Sequence, residues 1–118
     1  MTGAGLTMEI EDRGGIQLVH VSGPLDSMTH DEFKGQLDPL LGKPHVRLVL
    51  DCGNLTYINS RGLTLLAHYQ RTAAASLSFF GIAALNARIV KSIEMLGMTK
   101  LVRLYPTVEE ALRTAALL

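Results

Sequence analysis

The feature that most constrains the fold is a buried-strand pattern followed by a helical pattern and a second strand pattern. Residues 46–50 are apolar except for Arg47 and end at Asp51, which is typical of a central strand buried on both faces. From Ser60 the apolar residues follow a helical period, and residues 77–82 are strand-like again. A strand, a helix and a strand in this order form a crossover unit, so we expect parallel pairing.

Two strands and a helix are predicted before this unit. The apolar runs at residues 8–10 and 16–21 are separated by Gly14-Gly15, which favours a hairpin of antiparallel strands. The helical face that follows consists of Phe33, Leu37, Leu40 and Leu41. Because proline is poorly tolerated inside a helix, Pro39 is expected to end or kink this helix near Asp38.

After the unit, helix caps indicate two more helices and a short strand. Asn86 is suited to cap a helix and Gly97 to end it, residues 101–104 are strand-like, and Thr107 with Glu110 forms a capping box. Each of the last three predicted helices has an apolar inner face. For the second helix this face is Leu63, Leu66, Ala67 and Ala74; for the third it is Ile89, Val90, Ile93 and Leu96; for the fourth it is Val108, Ala111, Leu112 and Ala115.

The order β-β-α-β-α-β-α-β-α predicts an α/β fold with a mixed sheet of about four to five strands covered by about four helices. The chain has the length of one domain, spanning residues 1–118, and residues 1–6 are expected to be flexible.

Composition excludes several classes of function. Eleven basic and eleven acidic residues cancel, so no overall field attracts nucleic acid or an anionic membrane. Cys52 is the only cysteine, which excludes an intramolecular disulfide and favours a reducing cytosol. No apolar run approaches the roughly 18 residues that span a bilayer, so we expect a cytoplasmic protein without membrane insertion.

The residues that carry chemistry form no catalytic or metal-binding set. The four histidines are scattered, without an i, i+4 pair, and no histidine stands beside Cys52 to activate its thiol. The paired carboxylates at residues 31–32 and 109–110 fall in the first turns of predicted helices, where the helix dipole stabilises them. The sequence has neither of the glycine-rich phosphate-binding motifs, G-x-x-x-x-G-K-[ST] and G-x-G-x-x-G, between a strand and a helix. We therefore expect no enzyme, no metal site and no cofactor.

Residues 59–62, Asn59-Ser60-Arg61-Gly62, are the strongest candidate for a functional centre. They follow the central strand and a short loop and open the next helix, and partners often meet α/β sheets at that edge. Asn59 is suited to cap the helix, Ser60 and Arg61 then project outward, and Gly62 keeps the surface low for another backbone. A cation at a helix N-terminus costs up to about 1 kcal/mol, which favours a partner or anion near Arg61. A polar cap with a solvated arginine is the alternative.

Several short motifs occur in a characteristic order. Gly23-Pro24-Leu25-Asp26 is similar to the motif G-x-L-D, and residues 48–51 with 55–58 are similar to V-x-L-D-L-x-x-L-x-x-I/M-D. Residues 59–63 are similar to D-S-S-G-L or D-S-x-G-L. Residues 80–86, 93–98 and 101–102 are similar to a following strand, a helix and an L-x-x-x-G-L-x-x-x-F/V stretch. Together they resemble the STAS domains, the family of bacterial anti-sigma factor antagonists and of the cytoplasmic domains of sulfate transporters. The resemblance covers nearly the whole chain.

In the antagonists, the resemblance implies, the serine before the motif glycine is phosphorylated by an anti-sigma factor that is itself a GHKL-type kinase. The unmodified antagonist binds that kinase and so frees the sigma factor. This position is Arg61 here, and the first, acidic motif position is Asn59, so the usual phosphorylation control does not transfer. Ser60 matches the first motif serine, and a helix N-terminus stabilises phosphate, so Ser60 is the phosphorylation candidate.

Asp26 matches the family's acidic position after the first long strand, which the family fold places beside the motif. An attraction between Asp26 and Arg61 is expected. A turn or cap role for Asp26 is the alternative.

The leading hypothesis is a non-catalytic regulatory module that docks a protein partner, an anti-sigma factor and serine kinase, through residues 24–29 and 57–64. The expected partner-binding residues are Asp26, Ser27, Tyr57, Asn59, Ser60, Arg61, Gly62 and Leu63. The alternatives are a STAS subunit of a transporter or signalling complex, and a small nucleotide-binding or lipid-binding protein with Arg61 clamping an anion. A homodimer is also open, because Phe79-Phe80, residues 95–98 and Leu117-Leu118 add apolar surface.

Overall fold

The computed structural model describes residues 5–118, which form five strands and four helices. The strands are β1 (Thr7–Arg13), β2 (Ile16–Leu25), β3 (Arg47–Ile58), β4 (Phe79–Ala83) and β5 (Leu104–Tyr105). The helices are α1 (His30–Leu41), α2 (Ser60–Ala75), α3 (Ala87–Met95) and α4 (Val108–Ala116). The predicted order of elements is confirmed.

The strands form one mixed sheet in the order β1-β2-β3-β4-β5. β1 pairs with β2 in antiparallel fashion, through a hairpin in which Gly14 and Gly15 have positive φ angles, and the other neighbours are parallel. Residues of α1, α2 and α3 pack on one face, and residues of α4 pack on the other. Helices on both faces explain why residues 48–50 of β3 and all five residues of β4 are buried without alternation.

Three aromatic rings lie in the larger core. The ring of Tyr69 lies 6.3 Å from Phe33 and 6.2 Å from Phe80, and its hydroxyl donates a 2.6 Å hydrogen bond to Asp38 Oδ1. Burial, followed by the bond to Asp38, raises the pKa of Tyr69, while the same bond lowers the pKa of Asp38. The Tyr69 hydroxyl is the only polar group on these three rings, and its hydrogen bond to Asp38 allows the ring to remain buried.

The predicted caps at Asn86, Gly97 and Thr107 are confirmed, but the Glu110 carboxylate meets the Thr107 hydroxyl rather than the backbone N–H that a capping box requires. Asn86 Oδ1 accepts a 2.9 Å hydrogen bond from the backbone N–H of Ile89, and Gly97 follows α3 with a φ of +70°. Thr107 Oγ1 accepts from the Glu110 N–H at 3.1 Å, and the Glu110 carboxylate lies 3.4 Å from the same hydroxyl. Short polar side chains therefore fix where α3 and α4 begin.

β3 is longer than predicted, because it continues beyond Asp51 to Ile58. The pairing with β2 shifts register twice, between His20 and Ser22 and between Gly23 and Pro24. These irregularities interrupt the two-residue alternation of a strand, and the buried residues Cys52, Leu55 and Ile58 are therefore three apart. The prediction that a loop begins directly after Asp51 is therefore wrong.

Pro39 does not end α1, which runs on to Leu41. A proline three residues from the end removes only the backbone hydrogen bond to Gly35, and the buried side chains of Leu37 and Leu41 hold the last turn on the core. The helix therefore tolerates it.

Four other expectations are corrected. Ala73 is buried and Ala74 is exposed, and Leu96 is 58% exposed because α3 ends at Met95. The last strand begins at Leu104 rather than at residue 101. Phe79 and Phe80 are buried and add no surface, whereas Leu117 and Leu118 are exposed. Leu6, in the expected leader, is buried in the core, and residues 1–4 of that leader lie outside the described residues.

No helix within residues 5–118 combines the length and the apolar character needed to cross a membrane.

A polar network crosses the sheet on the face that carries α4. His20 Nδ1 lies 2.7 Å from Asp51 Oδ2, and His20 Nε2 lies 2.9 Å from Glu11 Oε1, while the other oxygen of Glu11 pairs with Arg13. The hydrogen bonds to Glu11 and then Asp51 raise the pKa of His20. The bonds from Arg13 and then His20 lower the pKa of Glu11. The network joins β1, β2 and β3 best when His20 is charged.

We expect His20→Asn to reduce the free energy of unfolding more at about pH 6 than at about pH 9. A histidine with a raised folded pKa stabilises the fold below its ordinary value of 6.5 and loses that contribution as the pH rises through the raised value. Glu11 contributes above its ordinary value of 4.5 because its pKa is lowered. Urea denaturation at the two pH values measures the difference.

The matched control is His45→Asn, at an exposed histidine whose left-handed φ of 60° asparagine tolerates well. An equal effect of pH on both variants would contradict a role for the His20 network.

Candidate functional site

The segment at residues 59–62 directly continues the central strand. β3 ends at Ile58, Asn59 is the cap, and α2 begins at Ser60. Asn59 is extended and its Oδ1 accepts a 2.9 Å hydrogen bond from the N–H of Gly62, while its carbonyl accepts from Leu63 at 3.0 Å. The predicted cap is confirmed, and it leaves Ser60 and Arg61 on the exposed first turn.

The loop between β2 and α1 is held by Asp26 and Thr29. Asp26 Oδ1 accepts hydrogen bonds from the backbone N–H groups of Met28 at 2.9 Å and Thr29 at 3.2 Å. The buried Thr29 hydroxyl donates to the Pro24 carbonyl at 2.8 Å. No ion pair joins Asp26 to Arg61 among residues 5–118, so the expected attraction is corrected to the alternative, a turn role for Asp26.

The two segments form one surface because β2 and β3 end side by side. Pro24 pairs with Tyr57 and Leu25 with Ile58. The Asn59 N–H donates to the Leu25 carbonyl at 3.1 Å, and Asn59 Nδ2 donates to Ser27 Oγ at 3.4 Å. We call the surface formed by residues 24–29 and 57–64 the strand-end face.

Two large apolar side chains project from the strand-end face. Met28 is 90% exposed and Tyr57 is 54% exposed. Met28 stands in the loop, Tyr57 near the end of β3, and Ser27, Ser60 and Arg61 are exposed on the same face. An exposed aromatic ring with exposed polar neighbours is typical of a protein-binding surface.

Gly62 and Leu63, which are predicted partner-binding residues, are buried and support the face from beneath. A Cβ atom on Gly62 would lie 2.7 Å from Ile58 Cγ1 and 3.1 Å from Leu25 Cγ. The glycine therefore lets α2 lie close against the ends of β2 and β3. Its predicted role in lowering the outer surface is wrong.

A shallow groove of about 280 Å³ runs along the first turns of α2. Its lining consists of His30, Ser60, Arg61, Thr64, Leu65 and His68. The sequence reasoning missed this groove, although the spacing of Ser60, Thr64 and His68 at i, i+4 and i+8 marks one side of a helix. His30 comes from α1 and leaves no such local signal.

Ser60 carries an exposed hydroxyl that no base in the described part of the chain contacts. Within residues 5–118, no hydrogen bond joins Ser60 Oγ to a base. Cys52 is buried, and burial raises the pKa of its thiol, so it does not supply a thiolate. Neither Ser60 nor Cys52 is therefore arranged as an activated nucleophile in this structure.

Comparison with protein families settles which family the fold represents. A family model described as the STAS domain matches residues 7–111. The chain belongs to the STAS domain family. The family expected from the sequence motifs is thus confirmed.

Two curated relatives and one solved structure are similar to this STAS chain. The anti-sigma-F factor antagonist RsfB of Mycobacterium tuberculosis is 24% identical over 107 residues, covering 91% of this chain and 87% of that protein. An anti-sigma F factor antagonist of Paenibacillus polymyxa is 25% identical over 108 residues, covering 91% and 92%. The crystal structure of an anti-sigma factor antagonist from Mycobacterium paratuberculosis has a TM-score of 0.82 and 27% identity and covers 94% of each chain.

We expect Gly62→Ala to lower the free energy of unfolding of this STAS chain by up to about 2 kcal/mol. Alanine gains about 1 kcal/mol in helix propensity, but a methyl group against Ile58 and Leu25 costs about 1–3 kcal/mol of overpacking. Chemical denaturation measures the change.

The matched control is Gly35→Ala in α1, where a Cβ atom meets nothing within 4 Å. This variant should gain about 0.5–1 kcal/mol. Stabilisation of both variants to the same extent would show that Gly62 is not required for close packing.

Proposed function

We propose that this chain is a non-catalytic regulatory protein that binds an anti-sigma factor, as an anti-sigma factor antagonist. The observation that carries the proposal is the strand-end face, where the exposed side chains of Tyr57 and Met28 lie beside the start of α2. Similarity to proteins named anti-sigma factor antagonists supports the choice of partner. A cytoplasmic location is part of the proposal.

The proposed energetics follow from the side chains of the face. Tyr57 and Met28 present apolar area that a partner would remove from water, and aromatic residues of this kind often dominate binding free energy. Ser27, Ser60 and Arg61 would supply hydrogen bonds around them. Because Asp26 and Asn59 already bind backbone amides, we propose that they shape the face rather than contact the partner.

A finer proposal concerns the partner's kinase activity. If the anti-sigma factor is a serine kinase, Ser60 is the proposed acceptor, because its neighbour Arg61 has no hydroxyl. The γ-phosphoryl group of ATP would form a bond to Ser60 Oγ, the bond to the leaving ADP would break, and the hydroxyl proton would be released. The phosphate adds about −1.5 to −2 charges to the face. Such a change would weaken binding to any partner that presents acidic groups there.

We expect Tyr57→Ala to raise the Kd for an anti-sigma factor of the same organism at least about tenfold, because truncation of a central aromatic anchor typically costs 2 kcal/mol or more. Isothermal titration calorimetry with purified proteins measures the affinity.

Leu117→Ala is the control, since Leu117 is 83% exposed and lies at the far end of α4. This variant should bind like the wild type. If the wild-type protein binds no anti-sigma factor of that organism, the proposed function is wrong.

Incubation with that anti-sigma factor and ATP should add the mass of one phosphate to the wild-type protein and none to Ser60→Ala. Intact-mass spectrometry measures the addition. Ser27→Ala is the matched control, because Ser27 is an exposed serine on the same face and should leave phosphorylation intact. Absence of a mass gain in the wild type rejects Ser60 as an acceptor and leaves a constitutive antagonist.

A further inference from the structure

The groove beside α2 has an unusual chemical lining. Among its six lining residues are one guanidinium, two imidazoles and two hydroxyls, and none carries a carboxylate. The Thr64 hydroxyl is turned to the backbone, since it donates to the Ser60 carbonyl at 3.0 Å. The groups left to meet a ligand are therefore dominated by Arg61, His30 and His68.

Arg61 has no partner in the part of the chain that the structure describes. Among residues 5–118, no carboxylate lies within ion-pair distance of its guanidinium, and no hydrogen bond from it is present. Its place in the first turn of a 16-residue helix is unfavourable for a cation by about 0.3–1 kcal/mol. Arg61 thus gives the lining of the groove a positive charge that no carboxylate among residues 5–118 neutralises.

The ring of His30 has a nitrogen that no neighbour satisfies. Its side chain is 13% exposed, and Nδ1 is buried without a hydrogen-bond partner. The carboxylate of Asp31 lies 3.6 Å from Nδ1, which is beyond hydrogen-bond length. Because no partner fixes its tautomer, either ring nitrogen can carry the proton. Because Nδ1 is enclosed by the protein, Nε2 is the ring nitrogen that would offer an N–H to a group that enters the groove.

The carboxylates that interact with the two groove histidines are exposed or already bound. Asp31 is fully exposed. Asp38, which interacts electrostatically with His68, accepts a hydrogen bond from Tyr69 at 2.6 Å and lies 3.4 Å from Lys34 Nζ. Neither carboxylate lines the groove or pairs with Arg61. An anion from outside would meet Arg61 without displacing an internal ion pair.

We infer that this groove binds an anionic group, which in the proposed complex is a carboxylate on an acidic segment of the protein partner. This inference rests on the proposed function for the source of the anion, but not for the chemistry of the groove. A volume of about 280 Å³ accommodates a carboxylate or a phosphate with bound water and lies below the range of drug-sized ligand sites. Arg61 would hold the anion with two N–H groups, and the rings of His30 and His68 would flank it.

A titration with two defined anions tests the inference without any anti-sigma factor. The probes are an acetylated, amidated pentaglutamate peptide and inorganic phosphate, added to the full chain at constant ionic strength set with chloride. NMR records the backbone signals of Ser60 and Arg61 and the ring signals of His30 and His68. Saturable shifts of these signals, at a lower concentration of peptide than of phosphate, are the expected result.

Variants assign the shifts to the groove. Arg61→Gln should raise the Kd of the peptide at least about fivefold, as expected for loss of one charged partner. His30→Asn should remove part of the same affinity. Arg71→Gln is the matched control, because Arg71 is an exposed arginine farther along α2 and its loss changes the net charge equally. It should leave the Kd unchanged.

Three results would overturn the inference. They are an absence of saturation with both probes, equal losses of affinity in Arg61→Gln and Arg71→Gln, and tighter binding of phosphate than of peptide, which would identify a site for free phosphate. Failure of the proposed function would instead appear as an absence of binding between wild-type protein and anti-sigma factors. The two failures are therefore distinguishable.

Discussion

The side-by-side ending of β2 and β3 is the constraint on which the rest of the structure depends. Their parallel pairing passes two register shifts and still places Leu25 opposite Ile58. These two side chains then contact Gly62, which sets how closely α2 approaches the sheet. The loop at residues 26–29 and the start of α2 share one surface only because both strands end at this level. The candidate site is thus a product of sheet register more than of any single motif.

The parts of the fold that depend on local sequence were predictable, and the parts that depend on distant contacts were not. The caps at Asn59, Asn86 and Thr107 were found because each side chain bonds to an amide only three residues away. The continuation of β3 beyond Asp51 was missed because bulges destroy the alternation that identifies a strand. The contribution of His30 to the groove arises from the packing of α1 beside α2, which no local pattern encodes.

Two sets of charged side chains differ in whether they are paired with neighbours. His20 forms hydrogen bonds with both Glu11 and Asp51, and this network links β1, β2 and β3. Both ring nitrogens of His20 are therefore occupied without a ligand. At the start of α2, Arg61 remains without such a partner among residues 5–118. Stability and the proposed recognition therefore draw on separate sets of charged residues. A change at one site need not disturb the other, because no ion pair among residues 5–118 joins Arg61 to the Glu11–His20–Asp51 network.

The connection between β3 and α2 consists of Asn59 alone. A one-residue link leaves little backbone slack, so α2 cannot reorient without displacing a strand in the middle of the sheet. The surface around Ser60 is therefore preorganised, and a partner that fits it loses little conformational entropy of the backbone on association. Adaptation on binding is confined to side chains such as the exposed Met28, whose unbranched thioether is among the most adaptable. Recognition at this site should approach rigid-body docking.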